Sequence, residues 1–311
     1  MCDDYPYPMR PSILFSYATL YIVWGSTYWF IKVAVASMPP FWLVALRFLV
    51  GGLGFLGVAW LTGRMKGRIT RRQILVSGGL GLLLLVGGNG LVTLAETTVD
   101  SYLAALVIAS TPLAVALFDR LILKIRIRAL CLVGIIIGLA GVGLLLYNGS
   151  SIFESLTPGV LLVIAGLVSW AFATSLGHRA GAVPDLVVNS GVQMLTAGLV
   201  TGLATLVLGP SPASVLPLIE PEAWLSMAYL GICGSLAFAA YTHLIHNEPA
   251  IRVVSYAFVN PLIAMVFGLV ISDETATPYL VPGALMILGG LALMLWGERL
   301  FGRKPDPPAG E

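Results

Sequence analysis

The chain has 311 residues, 58% of them hydrophobic and only 10% charged, with a formal net charge of +2. Soluble domains carry roughly 25% charged residues, so the composition excludes an ordinary soluble protein. A charge this small, with no basic tail and no zinc-finger spacing, argues against a nucleic-acid partner.

Apolar runs follow one another along the chain at residues 13–35, 40–61, 73–94, 101–121, 129–147, 159–177, 186–208, 223–245, 253–271 and 279–296. The first follows a single basic residue, Arg10, and lacks a small-residue cleavage site, so it reads as a retained span and not as a signal peptide. Each run is too long for a globular strand and too uniformly apolar for a surface helix, and a bilayer-spanning helix takes about 20 such residues. The expectation is an all-α integral membrane protein with ten transmembrane helices. Cys2 is terminal, while Cys131 and Cys233 lie inside apolar runs, so neither a disulfide framework nor a metal cluster is expected.

Orientation follows from the basic residues, which are retained on the cytoplasmic side of short loops. Arg64, Lys66, Arg68, Arg71 and Arg72 join runs two and three, and Arg120, Lys124, Arg126 and Arg128 join runs four and five. Arg10, Arg179, Arg252, Arg299, Arg303 and Lys304 fall on the same side of a ten-span chain, which predicts both termini to be cytoplasmic. The opposite loops carry Glu96, Asp100, Glu154, Glu220, Glu222, Asp273 and Glu274 with no Lys or Arg. Lys32 and Arg47 depart from the pattern; Lys32 lies near the outer end of its span, where its stem can snorkel.

The chain repeats itself. An offset of 146 pairs Trp24 with Trp170, Leu49 with Leu195 and Gly52 with Gly198. An offset of 150 pairs Leu80 with Leu230 and Gly81 with Gly231, and one of 149 pairs Pro112 with Pro261, Gly134 with Gly283 and Gly141 with Gly290. Five spans per half is an odd number, so the second half enters the membrane opposite to the first, as two inverted five-helix repeats around a cavity with two exits. The predicted organisation is a first repeat at 1–147, an outer linker at 148–158, a second repeat at 159–298 and a cytoplasmic tail at 299–311.

Trp24-Gly25-Ser26-Thr27, Pro39-Pro40, Arg47-Phe48, Thr111-Pro112-Leu113 and Asn260-Pro261-Leu262 together resemble the EamA-type drug/metabolite transporters, which include YddG-like amino-acid and metabolite exporters. The resemblance covers nearly the whole chain. It implies ten-helix exporters of amino acids and other small metabolites, with the first four helices of each half around a central cavity and the fifth and tenth to the side. One position departs from many relatives: an acidic residue thirteen places after the first proline is replaced by Ile125, whereas Glu274 keeps it in the second half.

An ionisable side chain within a span costs about 2.5–3.5 kcal/mol on insertion scales, so it faces protein or a water-filled cavity. Arg47 is the clearest case, and the repeat places Gln193 at the matching position. Its guanidinium suits a substrate carboxylate, or serves as a structural cation on helix-end carbonyls. Asn89, Thr93, Asn189, Gln193, Tyr241, His243 and Asn260 are ligand contacts or interhelical ties, and His243 is also able to exchange a proton near neutral pH. Trp24, Tyr28, Trp170, Phe172, Tyr256 and Phe258 line a cavity wall or simply pack. The substrate-binding set drawn from these is Trp24, Tyr28, Arg47, Asn89, Trp170, Gln193, Tyr241, His243 and Asn260. Pro112 and Pro261 fall inside their spans as hinges or static bends, and Gly134, Gly138 and Gly141 form a small-residue face for close packing, within the monomer or in a dimer.

No G-x-x-x-x-G-K-[ST], H-E-x-x-H or G-x-S-x-G motif is present, and Asp119 beside Arg120 reads as a surface ion pair, so no catalytic residue, cofactor or metal is expected. The reading is a multi-pass secondary transporter of the cell (inner) membrane. By the family resemblance it exports small amphipathic metabolites, foremost aromatic or hydrophobic amino acids, by alternating access. The alternatives are a multidrug, sugar or nucleoside carrier of the same fold and a membrane-embedded enzyme. Its partners are a small-molecule substrate and the lipid bilayer, and it acts as a monomer or homodimer.

Overall fold

The computed structural model describes residues 10–66, 69–99, 101–124, 129–146, 157–177, 179–271 and 279–301. Most of the expected linker and tail lies outside them. So do the loop charges Arg68, Asp100, Arg126, Arg128, Glu154, Asp273, Glu274, Arg303 and Lys304. All regular structure among the described residues is helical.

The helices are α1 (Pro11–Val35), α2 (Pro40–Leu61), α3 (Arg71–Gly81), α4 (Leu91–Ala95), α5 (Ser101–Ile108), α6 (Thr111–Phe118) and α7 (Ala129–Leu146) in the first half. A π-helical stretch, Leu82–Gly90, joins α3 to α4, and a π turn, Asp119–Leu123, ends α6. The second half holds α8 (Pro158–Gly177), α9 (Leu186–Leu208), α10 (Pro212–Val215), α11 (Pro221–Asn247), α12 (Ala250–Val253), α13 (Tyr256–Ile271) and α14 (Leu280–Phe301). Among the described residues, five stretches are long and apolar enough to cross a membrane: Pro40–Leu61, Arg71–Ala95, Pro158–Gly177, Leu186–Leu208 and Pro221–Asn247.

Local chemistry sets the helix ends. Proline occupies the first turn of α1, α2 and α11, where its missing N–H is no loss. Thr70 and Gln73 cap α3 reciprocally, and Asp185 accepts the amides of Val187 and Val188 at the start of α9. The two matched prolines do not act alike. The fourth apolar run breaks at Ala109–Ser110, and Pro112 sits in the first turn of the second piece, α6. Pro261 lies inside a continuous α13. The expected pair of equivalent kinks is therefore one break and one proline carried within a helix.

Packing follows the repeat. α2 packs on α9, α7 on α14 and α5 on α13, each helix meeting its own counterpart. The larger of the remaining pairings come in exchanged couples: α1 with α11 and α8 with the π stretch and α4; α1 with α13 and α8 with α6; α3 with α9 and α11 with α2. Close approach is reciprocal too. A Cβ on Gly52 would sit 2.5 Å from the backbone nitrogen of Leu195, and one on Gly198 would sit 2.7 Å from that of Leu49. At the α7–α14 contact, Gly134 faces the Gly290 carbonyl and Gly141 the Gly283 carbonyl, so the small-residue face of α7 is used within the monomer.

The outward faces are apolar: Leu75 and Leu208 are 75% and 85% exposed, whereas Arg47 is 3% exposed. This inversion of the soluble pattern is what a hydrocarbon solvent permits. The basic loops gather at one end of the bundle, where Arg64 meets Asp185 at 3.4 Å and Arg179 donates to the Leu123 carbonyl at 3.3 Å. At the other, acidic end, the Glu220 amide donates to Ser37 Oγ at 3.1 Å. Asp119, expected at the surface, is buried at the start of the π turn.

Candidate functional site

A cavity of about 750 Å³, its mouth included, opens between the halves. α1 supplies Trp24, Thr27, Tyr28 and Ile31; α2 supplies Arg47 and Phe48; the π stretch supplies Leu85, Gly88 and Asn89. Ile108 and Thr111 come from the broken run α5–α6, Gly166 and Trp170 from α8, Leu230, Gly234 and Phe238 from α11, and Tyr256 and Asn260 from α13. Among the described residues, none of α7 or α14 lines it.

Arg47 is buried and donates through Nη2 to Asn89 Oδ1, while its Nε has no partner. A guanidinium in a desolvated cavity wall with an N–H left without a partner is an anion-binding group in waiting. Arg47 also lies over the Phe48 ring, 4.5 Å from its centroid. Across the cavity Asn260 is buried, and neither its amide nitrogen nor its amide oxygen has a hydrogen-bond partner. A cargo bearing both a carboxylate and a donor would meet complementary groups on opposite walls.

Toward the basic end, aromatic rings close the cavity. Trp24 meets Trp170 edge-on at 5.3 Å, Tyr256 edge-on at 4.9 Å and Tyr241 at 5.4 Å, and Tyr241 lies 5.2 Å from Trp170. The single hydroxyl proton of Thr174 goes to the Trp170 carbonyl, so at their 2.5 Å contact the Tyr241 hydroxyl donates to Thr174. Below this partition a smaller cavity of about 380 Å³ is lined by Leu80, Leu84, Thr174, Gly177, Asn189, Gln193, Tyr241, Thr242 and His246, among others. The repeat maps five of these, Leu80, Leu84, Thr174, Gly177 and Gln193, onto Leu230, Gly234, Tyr28, Ile31 and Arg47 of the large cavity. The two spaces are counterparts at opposite ends of the bundle.

Of the nine residues predicted to bind substrate, Trp24, Tyr28, Arg47, Asn89, Trp170 and Asn260 share the large cavity. Gln193 and Tyr241 line the small one, where Gln193 reaches Asn189 at 3.4 Å. His243 lines neither, and its neighbour one turn on, His246, takes the place beside the small cavity. Thr93 is tied to the Asn89 carbonyl and Phe258 fills the space beside Gly138, so both are packing residues. Lys32 donates to the carbonyls of Glu96 and Val99 at 3.2 and 3.1 Å, holding the end of α4. Sequence reasoning missed Thr27, Phe48, Thr111 and Phe238 as lining residues; the partial pairing of Thr27 and Phe48 with already chosen Tyr28 and Arg47 in sequence was the one available signal.

The EamA-like transporter family model matches residues 12–147 and again residues 157–296. The chain belongs to this family. It is 37% identical over 92% of its length to an inner membrane transporter, YedA, of Escherichia coli K12, covering 91% of that protein. It is 28% identical to the transporter YvbV of Bacillus subtilis 168, covering 89% of each chain. A probable amino-acid metabolite efflux pump of Salmonella typhimurium LT2 is 26% identical over 90% of this chain and 93% of its own. A solved crystal structure shares the fold, with a TM-score of 0.76 at 23% identity over 94% of this chain and all of the other. The protein is thus a multi-pass inner-membrane member of a transporter family.

Proposed function

We propose that the protein is a ten-span secondary transporter built as two inverted five-helix halves with both termini in the cytoplasm. It exports small amphipathic metabolites, amino acids with aromatic or apolar side chains first, by alternating access. The observation that carries the cargo reading is the large cavity itself: an arginine with an unused N–H on one wall, an unpaired amide opposite, and a floor of aromatic rings. The guanidinium takes the carboxylate, the Asn260 amide oxygen takes an ammonium proton, and Trp24, Trp170 and Tyr256 receive an apolar side chain. The efflux-pump name of the Salmonella relative points the same way.

Alternating access is supported by the exchanged helix pairings and by the smaller cavity at the basic end, which the repeat makes the counterpart of the larger. Exchange of the two conformations between halves would open the small cavity and close the large one. The test is uptake of labelled tryptophan, phenylalanine, methionine and threonine into sealed proteoliposomes, with and without a proton gradient. Saturable accumulation of unchanged aromatic amino acids is expected. No flux of any of them would overturn the amino-acid reading and direct the search to sugars, nucleosides or cationic drugs.

A further inference from the structure

Among the described residues, Gly88, Gly166 and Gly234 are the glycines that line the large cavity. At two of them the room is already taken: a Cβ on Gly88 would sit 2.8 Å from the Trp170 ring, and one on Gly166 would sit 2.8 Å from the Gly88 carbonyl. Gly234 differs, because a Cβ there would meet nothing within 4 Å. It lies midway along α11 between the lining residues Leu230 and Phe238, and residues four apart share one helix face, so the side chain it lacks belongs to the cavity-lining face. One turn earlier, a Cβ on Gly231 would stand 3.7 Å from Arg47 Cα, which sets the open position beside the helix that carries the guanidinium. The repeat sharpens the contrast. Gly234 is the counterpart of Leu84, a buried side chain that lines the small cavity, and Phe238 is the counterpart of Gly88. The first half thus has its bulk at 84 and its gap at 88, where Trp170 fills it; the second has its bulk at 238 and its gap at 234, where no described side chain does.

We propose that Gly234 is the specificity-determining position of the cavity: the notch left by its missing side chain receives the end of a bulky apolar cargo side chain and sets the largest size that is carried. This rests on the reading of the large cavity as an amino-acid site. Leu230 and Phe238 bound the notch one turn away on either side, so what it accepts is apolar. Trp24 is held by its contacts to Trp170, Tyr241 and Tyr256, so the extra room that a large side chain needs comes from the wall at Gly234. An apolar pocket selects by volume, and one methylene too many or too few is worth about 10–200-fold.

The test is uptake of labelled threonine, methionine, phenylalanine and tryptophan into proteoliposomes by the wild-type protein, Gly234→Ala and Gly234→Leu. Gly54→Leu is the control outside the cavity, since a Cβ there also meets nothing within 4 Å. The readout is the ratio of kcat/KM for tryptophan to that for threonine, which the amount of folded protein does not move. Gly234→Ala should lower this ratio about fourfold, the worth of one methylene of lost burial. Gly234→Leu, which restores the residue of the first half, should lower it at least about tenfold, with phenylalanine and methionine intermediate. Gly54→Leu should leave it unchanged. An unchanged ratio in Gly234→Ala, an equal fall for all four amino acids, or the same shift in Gly54→Leu would overturn the assignment, whether or not Gly234→Leu purifies. No flux of any of the four by the wild-type protein would overturn the amino-acid reading and the assignment with it.

Discussion

Gly52→Ala tests the reciprocal contact between α2 and α9. A Cβ at this position lies 2.5 Å from the Leu195 nitrogen and 2.7 Å from its Cα, and both are backbone atoms that cannot rotate away. Ordinary contact with carbon is at about 3.5–4.0 Å, so the two helices must part by about 1 Å. Overpacking of this kind costs about 1–3 kcal/mol, against a gain of up to about 1 kcal/mol in helix propensity from replacing glycine. Gly54→Ala on the same helix meets nothing within 4 Å and receives the propensity gain alone. The difference between the two variants therefore isolates the contact, at about 1–3 kcal/mol. Gly198→Ala, whose Cβ meets the Leu49 nitrogen at 2.7 Å, should cost a similar amount. Once α2 and α9 have separated for one methyl group the second has room, so the double variant should cost clearly less than the sum. The assay is thermal unfolding of the purified protein in detergent, with the four variants side by side. A Gly52→Ala variant as stable as Gly54→Ala, or strictly additive penalties in the double variant, would refute the reasoning.

Arg47→Ala should abolish amino-acid flux in proteoliposomes while the protein still purifies as a monodisperse species. Arg47→Lys should rescue little, because an ammonium cannot offer paired donors and hold Asn89 together; normal flux from either variant removes the proposed role. Tyr241→Phe removes the hydroxyl that donates to Thr174 and should shift the partition toward its open form by about 0.6 kcal/mol, or about threefold in population. In a background without native cysteines, a Thr111→Cys probe should then be alkylated faster by an impermeant reagent applied from the basic side. Asp185→Ala should lower stability by about 1 kcal/mol through loss of the α9 cap, and Asp185→Asn by much less, since asparagine caps too. Equal losses from the two would mean that the exposed pairing with Arg64 matters more than the cap.

The sequence conveyed depth better than direction. Charge singled out Arg47, and the glycine and proline matches marked the repeat, because ionisable groups and close approaches are costly enough in a bilayer to stand out. Which face of a helix meets the cavity was far less legible. Lipid and protein interior are both apolar, so no polar stripe marks the outside of α11, and His243 and His246 could not be told apart by pattern. Glu96 was hidden for a related reason: an acid at a helix end looks like a loop acid until the neighbouring helices are seen to cover it. The break before Pro112 and the continuity through Pro261 show that equal residues at equivalent positions do not dictate equal backbones.

The Leu82–Gly90 stretch gives the third apolar run a phase shift that its repeat counterpart, α11, does not carry. A π-helix closes each hydrogen-bonded ring with one residue more than an α-helix, so it holds surplus residues within the same length of helix. Tightening this stretch into an α-helix would advance everything beyond it by roughly 100° per residue released. Asn89, now against Arg47, would swing toward a different neighbour, and Glu96 would turn with it. A helix that is wound like a slack spring at one point can rotate its far end without moving its near one, and in this molecule the far end is where the buried charges sit.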